Sequence, residues 1–279
     1  MGRRAHATQC FLTLEAKPLR RLSMSKPTQN GNRFSRCATA MPDDRPKFET
    51  IPETEARSLA TVEALFNRAT DIAATLEACR KGARCGSSNC PVCAGFYRLP
   101  VIRAAVRIAN STHGNHEWAT IYLATIAVDS LPDVKLKLVR EAFRKRLKRS
   151  GFAGSILIGG IEVTWLARDR VWILHAHLTA IHVPQGAWDS LREKLTDSGR
   201  DTPLKVVDLK SPERQISYSI KFVSYYRPGQ IGREGRARAY PLPQDRLAEL
   251  ATWRSQYDFG DFLFLFGARR RGGQFVVES

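Results

Sequence analysis

The sequence predicts an α+β fold: helices back an antiparallel sheet of split βαβ type, and a helical, cysteine-bearing module precedes it. Three observations lead there. From Glu117 the apolar patterning runs strand, helix, hairpin, helix, strand, helix; the strand segments are rich in Val, Ile and Thr; and four of the six cysteines lie between positions 79 and 93. A chain of 279 residues can bury one large core with smaller attachments.

Residues 1–50 hold ten Lys or Arg against four acids, among Ser, Thr, Pro and Asn, which is the composition of a disordered basic arm. The stretch also suits an organelle transit peptide, or an upstream extension ahead of Met24 or Met41. From Pro52, the residues Leu59, Val62, Leu65, Phe66, Ile72 and Leu76 recur at helical spacing, predicting one long amphipathic helix that runs into the cysteines. LPVIRAAVRIAN predicts another helix with Pro100 near its start, completing a module over 51–112.

A second region, 113–230, opens with the strand EWATIYLATIAV. Pro132 then starts a helix with Leu136, Val139, Phe143 and Leu147 on one side and Gly151 at its left-handed cap. SILIGGIEVTWL and VWILHAHLTAIHV form a hairpin across ARDR, with a bulge expected at Gly159 and Gly160. GAWDSLREKLTD reads as a helix, PLKVVDL as a short strand, and SPERQISYSIKFVSYY as a helix begun by Ser211 and Pro212. Residues 231–279 read as a basic extension with one helix, LPQDRLAELATWRSQY, and an apolar strand around Phe262 to Phe266.

The 44 Lys and Arg against 27 Asp and Glu give a formal charge of +17. Such an excess attracts polyanions through counterion release, with nucleic acid the leading partner and an anionic membrane surface second. No apolar run approaches the about 20 residues of a membrane-spanning helix. With no secretory signal read at the N-terminus, a cytoplasmic location is expected. On the helix over 132–149, Lys135, Lys137, Arg140, Arg144, Lys145, Arg146, Lys148 and Arg149 outweigh Asp133 and Glu141. Such a face fits a phosphate backbone, although charged faces are commonly just solvated.

In CRKGARCGSSNCPVC the tight CPVC end aims Cys90 and Cys93 at one point, and Cys79 and Cys85 can close a tetrahedron, the geometry of structural Zn²⁺. In VWILHAHLTAIHV, alternation puts His175 and His177 on one face of the strand and Leu174 and Ala176 on the other; His182 falls opposite to His177. Two imidazoles side by side suit a divalent ion, or are core histidines bonded to carbonyls. Glu162, on the partner strand, can reach the same face, or stands as an exposed strand residue. With it the set becomes an open site for Mg²⁺ or Mn²⁺. In QISYSIKFVSYY, helical spacing puts Tyr218, Lys221 and Tyr225 on one face, either as core packing or as a nucleophile with a cation beside it.

Taken together, HAH, the upstream EVT and the downstream YSIK resemble the HUH endonucleases, specifically the rolling-circle replication initiators of plasmids and their transposon relatives. The resemblance covers roughly residues 79 to 226, with the motifs in the family's order. It implies an RRM-like catalytic sheet, with His175, His177 and Glu162 as ligands of a catalytic Mg²⁺ or Mn²⁺, Tyr218 as nucleophile and Lys221 as its electrostatic partner. It further implies nicking of single-stranded origin DNA, a 5′-phosphotyrosyl link, a free 3′-hydroxyl, and host replication machinery as a further partner. A zinc module upstream of the catalytic region also occurs in the plasmid initiators; origin recognition would fall to it and to the basic helix. Tyr225 or Tyr226 stands as an alternative or second nucleophile. Two neighbouring readings remain open: an HUH-type transposase, and a non-catalytic zinc-bearing DNA-binding protein.

Overall fold

The structure is a computed structural model that describes residues 51–195, 202–222, 226–227, 242–271 and 274–278. The expected basic arm, Tyr225 and most of the Arg- and Gly-rich segment lie outside the described residues, as does the side chain of Tyr226. The described residues fall within one compact unit, Asp44–Ser279.

Among the described residues three helices come first: α1 (Ile51–Leu65), α2 (Thr70–Glu77) and α3 (Pro91–Ser111). The single helix expected from Pro52 is thus two. A straight rod would set Leu65 and Leu76 about 16 Å apart along its axis; the break folds both into the core, at 0% and 2% exposure. Leu59 and Phe66, expected on the apolar stripe, point out at 61% and 62%. α3 starts earlier than expected, with Cys90 as its N-cap and Pro91 in its first turn, so Pro100 lies inside it. There the ring removes one helical hydrogen bond, to the Phe96 carbonyl.

β1 (His116–Ala127) leads to a 3₁₀ turn at Leu131–Asp133, and α4 (Leu136–Arg149) begins only after it. Pro132 therefore does not open the long helix. The Val134 carbonyl accepts from Trp253 Nε1 at 3.0 Å and Tyr257 Oη at 2.8 Å, which holds the chain extended at that point. Gly151 takes the left-handed conformation expected of it, φ +85°.

β2 (Ile156–Leu166) and β3 (Val171–Ile181) pair in unbroken register, so the bulge expected at Gly159 and Gly160 is absent; the irregularity lies in β1, between Tyr122 and Ala124. Gly160 answers a different need. A Cβ there would sit 2.6 Å from the Ser219 carbonyl oxygen, so its absence lets a helix end lie directly on the strand. That helix is α6 (Pro212–Ser219), reached through α5 (Ala187–Glu193) and β4 (Leu204–Asp208). After the short β5 (Tyr226–Arg227) come α7 (Gln244–Arg254), α8 (Phe259–Phe262), β6 (Leu263–Phe266) and a hairpin of β7 (Ala268–Arg271) and β8 (Gln274–Val277) that the sequence reading missed.

Five strands form an antiparallel sheet in the order β4-β1-β3-β2-β6, and β5 pairs parallel to the far end of β2. Alternation divides it into two faces. Ala119, Ile121, Ile161, Val163, Leu174, Ala176 and Leu178 are fully buried on one face, and α4 covers it, with Phe143 packed 4.7 Å from Phe264. The other face carries the polar row and receives α6, which leans in turn on α3.

Candidate active site

The β2–β3 register sets Glu162 directly opposite His175, and His177 opposite Gly160. All three polar side chains face the α6 side. The Glu162 carboxylate lies 3.8 Å from Nε2 of His175 and 3.8 Å from Nε2 of His177, and one ligand atom from each residue falls within 4.8 Å of the others. The outer ring nitrogens are occupied: His175 Nδ1 lies 3.3 Å from the Ile173 carbonyl and His177 Nδ1 2.9 Å from Thr120 Oγ1. These contacts turn both Nε2 atoms inward, as in metal-ligating histidines. Glu162 is 3% exposed, not the exposed strand residue that alternation alone allows. Its Oε1 is buried with no hydrogen-bond partner among the described residues. An orphaned carboxylate oxygen beside two inward imidazoles fits a divalent cation. His182, at φ +56° just past β3, is not in the group.

α6 ends at Ser219, and Ile220 (φ −125°) and Phe222 (φ +50°) are non-helical, so the helix expected to run on to Tyr226 stops short. Lys221 therefore does not share a helical face with Tyr218. It turns back instead and places Nζ 2.9 Å from Glu162 Oε2 and 4.0 Å from the Tyr218 ring centre. Burial pushes the Glu162 carboxyl above its ordinary range, with the Lys221 ammonium pulling against it. For Lys221, burial works downward but Glu162 and then Tyr218 outweigh it, so the net shift is up and the ammonium stays charged. The Tyr218 ring stands edge-on to His177, centroids 5.0 Å apart. Trp118 stacks on His177 at 5.4 Å, meets Tyr218 at 5.7 Å, and donates from Nε1 to Ser219 Oγ at 2.8 Å. No sequence pattern singled Trp118 out.

Cys79, Cys85, Cys90 and Cys93 form a second ligand group. Sγ–Sγ separations are 3.7 Å for Cys79–Cys93, Cys85–Cys93 and Cys79–Cys90. Four sulfurs around one ion at a bond length of about 2.3 Å stand about 3.8 Å apart, whereas a disulfide needs about 2.05 Å. Hydrogen bonds from Cys90 and then Cys93 push the Cys85 thiol down to about 2, while the hydrogen bond to Cys85 is the main cause that drives Cys90 up to about 12 and Cys93 further up. Four thiolates so close need a cation to coexist.

The predicted phosphate-contacting residues divide. Lys145, Lys148 and Arg149 are exposed on α4 and Arg146 is half-buried. Arg140 pairs with Asp261 at 3.6 Å and Arg144 donates to the Leu265 carbonyl at 2.8 Å, so these two tie α4 to the C-terminal segment. Lys145, Arg146 and Arg149 line an open groove with Lys194, next to α5, a cation the sequence reading missed. In the strand register Phe264 pairs with Gly159 and Gly159 with Leu178. α4, packed on Phe264, therefore lies across the sheet from the imidazoles.

No helix among the described residues is long and apolar enough to cross a membrane. No family model matches the chain, and no curated protein or solved structure does either.

Proposed function

We propose that the protein is a metal-dependent endonuclease of the HUH kind, which nicks single-stranded origin DNA to begin rolling-circle plasmid replication. One observation carries the reading: the Tyr218 ring lies against His177, so an oxygen nucleophile and a three-ligand metal group occupy one side of the sheet. The strand order β4-β1-β3-β2, with both histidines on an inner strand, also suits the split βαβ plan of that superfamily.

Glu162, His175 and His177 would hold a Mg²⁺ or Mn²⁺, which would supply a Lewis acid for the scissile phosphate. Tyr218 Oη attacks phosphorus and forms the phosphotyrosyl bond, while the bond from phosphorus to the 3′ oxygen breaks. That oxygen leaves as a 3′-hydroxyl, so in balance the phenolic proton passes to it. Lys221, held charged by Glu162, stabilises the phenolate as its proton departs. Trp118 keeps the phenol and His177 in register. The cysteine group would hold a structural Zn²⁺, since four thiolates leave no open position. The groove of Lys145, Arg146, Arg149 and Lys194 binds phosphates of flanking DNA on the reverse of the sheet. A cytoplasmic location and contact with host replication machinery accompany this reading.

The test is incubation with Mn²⁺ and a pool of single-stranded oligonucleotides labelled at the 3′ end. The wild-type protein should retain label through denaturing electrophoresis, and Tyr218→Phe should not. Label retained by Tyr218→Phe but lost in Tyr225→Phe would move the nucleophile, and label retained by neither wild type nor variants would favour a DNA-binding protein without cleavage.

A further inference from the structure

α3 links the two ligand groups. Cys90 caps it and Cys93 lies in its first turn. Further along, Arg98 Nη2 donates to the Ser217 carbonyl at 3.1 Å and to Ser217 Oγ at 3.3 Å. Ser217 is 1% exposed and immediately precedes Tyr218; its carbonyl, in the last turn of α6, takes the Ile220 N–H at 3.3 Å and has its second lone pair free for Arg98. Beside Arg98, Tyr97 packs against Phe222 at 5.9 Å and stacks on Phe259 at 5.2 Å, so α3 grips the chain on both sides of the Tyr218–Lys221 stretch. The cysteine loop is anchored too. Ser88 Oγ donates to the Arg254 carbonyl at 2.7 Å and Asn89 Nδ2 to the Ala251 carbonyl at 2.9 Å, at the end of α7. Ser88, Asn89 and Cys90 are buried against the protein, unlike a finger that is free to read DNA alone.

We propose that the four-cysteine group is a brace for the tyrosine and that Arg98 is the positioning residue through which the metal-closed loop holds Tyr218 against His177. The planar guanidinium aims one nitrogen, Nη2, at carbonyl and hydroxyl together, a direction that the flexible ammonium of lysine holds less well. The kinetic arm of the test rests on Tyr218 being the nucleophile; the spectroscopic arm does not.

The full chain labelled with 5-fluorotryptophan gives five ¹⁹F lines, one per tryptophan, and Trp118 is assigned by Trp118→Phe. Its indole reports on the end of α6 through its bond to Ser219. Arg98→Met should move the Trp118 line and leave those of Trp165 and Trp172 in place. Adduct formation should slow by about tenfold to a hundredfold in kcat with little change in KM for DNA, and Arg98→Lys should recover part of it. Stripping the cysteine-bound ion with a zinc-selective chelator under excess Mg²⁺ should move the Trp118 line in the same direction. Arg98→Met leaves all four cysteines in place, so it decides the Arg98 link whatever stripping does to the fold, and a Trp118 line unmoved by stripping would take the cysteines out of the brace. A Trp118 line unmoved in Arg98→Met would overturn the brace, as would a loss confined to KM. A wild type that forms no adduct would sink the nicking reading, with the fluorine lines still deciding the brace.

Discussion

Glu162 is asked to do two things with one carboxylate. It faces two imidazoles across the hairpin and also takes the ammonium of Lys221 at 2.9 Å, with both partners of that pair almost wholly buried. Removing one member of such a pair leaves a buried charge alone, which costs about 3–5 kcal/mol. Glu162→Gln should therefore destabilise the metal-free protein by about that much, while Glu162→Gln with Lys221→Met should recover most of it. Denaturant unfolding of wild type and both variants checks this, and a double variant no better than the single would refute it. The same pair sets a pH window. The folded Lys221 ammonium lies above its ordinary 10.5, so its stabilisation is complete below 10.5 and is lost as pH rises through the higher folded value. Wild type and Lys221→Met should accordingly converge in stability as pH rises above that point.

At the level of elements, α4 has an inner and an outer role. Arg140 and Arg144 fasten it to Asp261 and the Leu265 carbonyl, whereas Lys145, Arg146 and Arg149 open onto the groove shared with Lys194. If those outer cations neutralise phosphates, replacing Lys145, Arg149 and Lys194 by Gln should lower the slope of log affinity against log salt by about one per lost contact. Affinity should drop alike for all DNA sequences, and Mn²⁺ binding should be untouched. A slope that does not change would remove the groove from the DNA path. Helical periodicity could not separate the two sets, because Arg and Lys look alike until the packed neighbours are known. α6 teaches the same lesson. YSIK has helical spacing, yet the chain leaves the helix at Ser219, because the buried Glu162 carboxylate draws Lys221 back and Gly160 gives the turn room to close.

Across the whole molecule, the C-terminal segment is part of the core: β6 pairs with β2, and Phe264, fully buried, packs on Phe143 of α4. Phe264→Ala should cost about 3–5 kcal/mol in denaturant unfolding, and a loss below about 1 kcal/mol would mean that the segment is dispensable. By itself the sequence determined what depends on short-range period and spacing. It specified the β2–β3 hairpin, the common face of His175 and His177, and a group of four cysteines suited to one ion. Only the tertiary structure decided that Glu162 is buried, that Lys221 pairs with it, that Arg98 reaches Ser217, and that α4 and the imidazoles lie on opposite faces of the sheet. Such relations join residues far apart in the chain. They are set by strand register and by the cost of leaving a buried charge without a partner, neither of which leaves a local pattern.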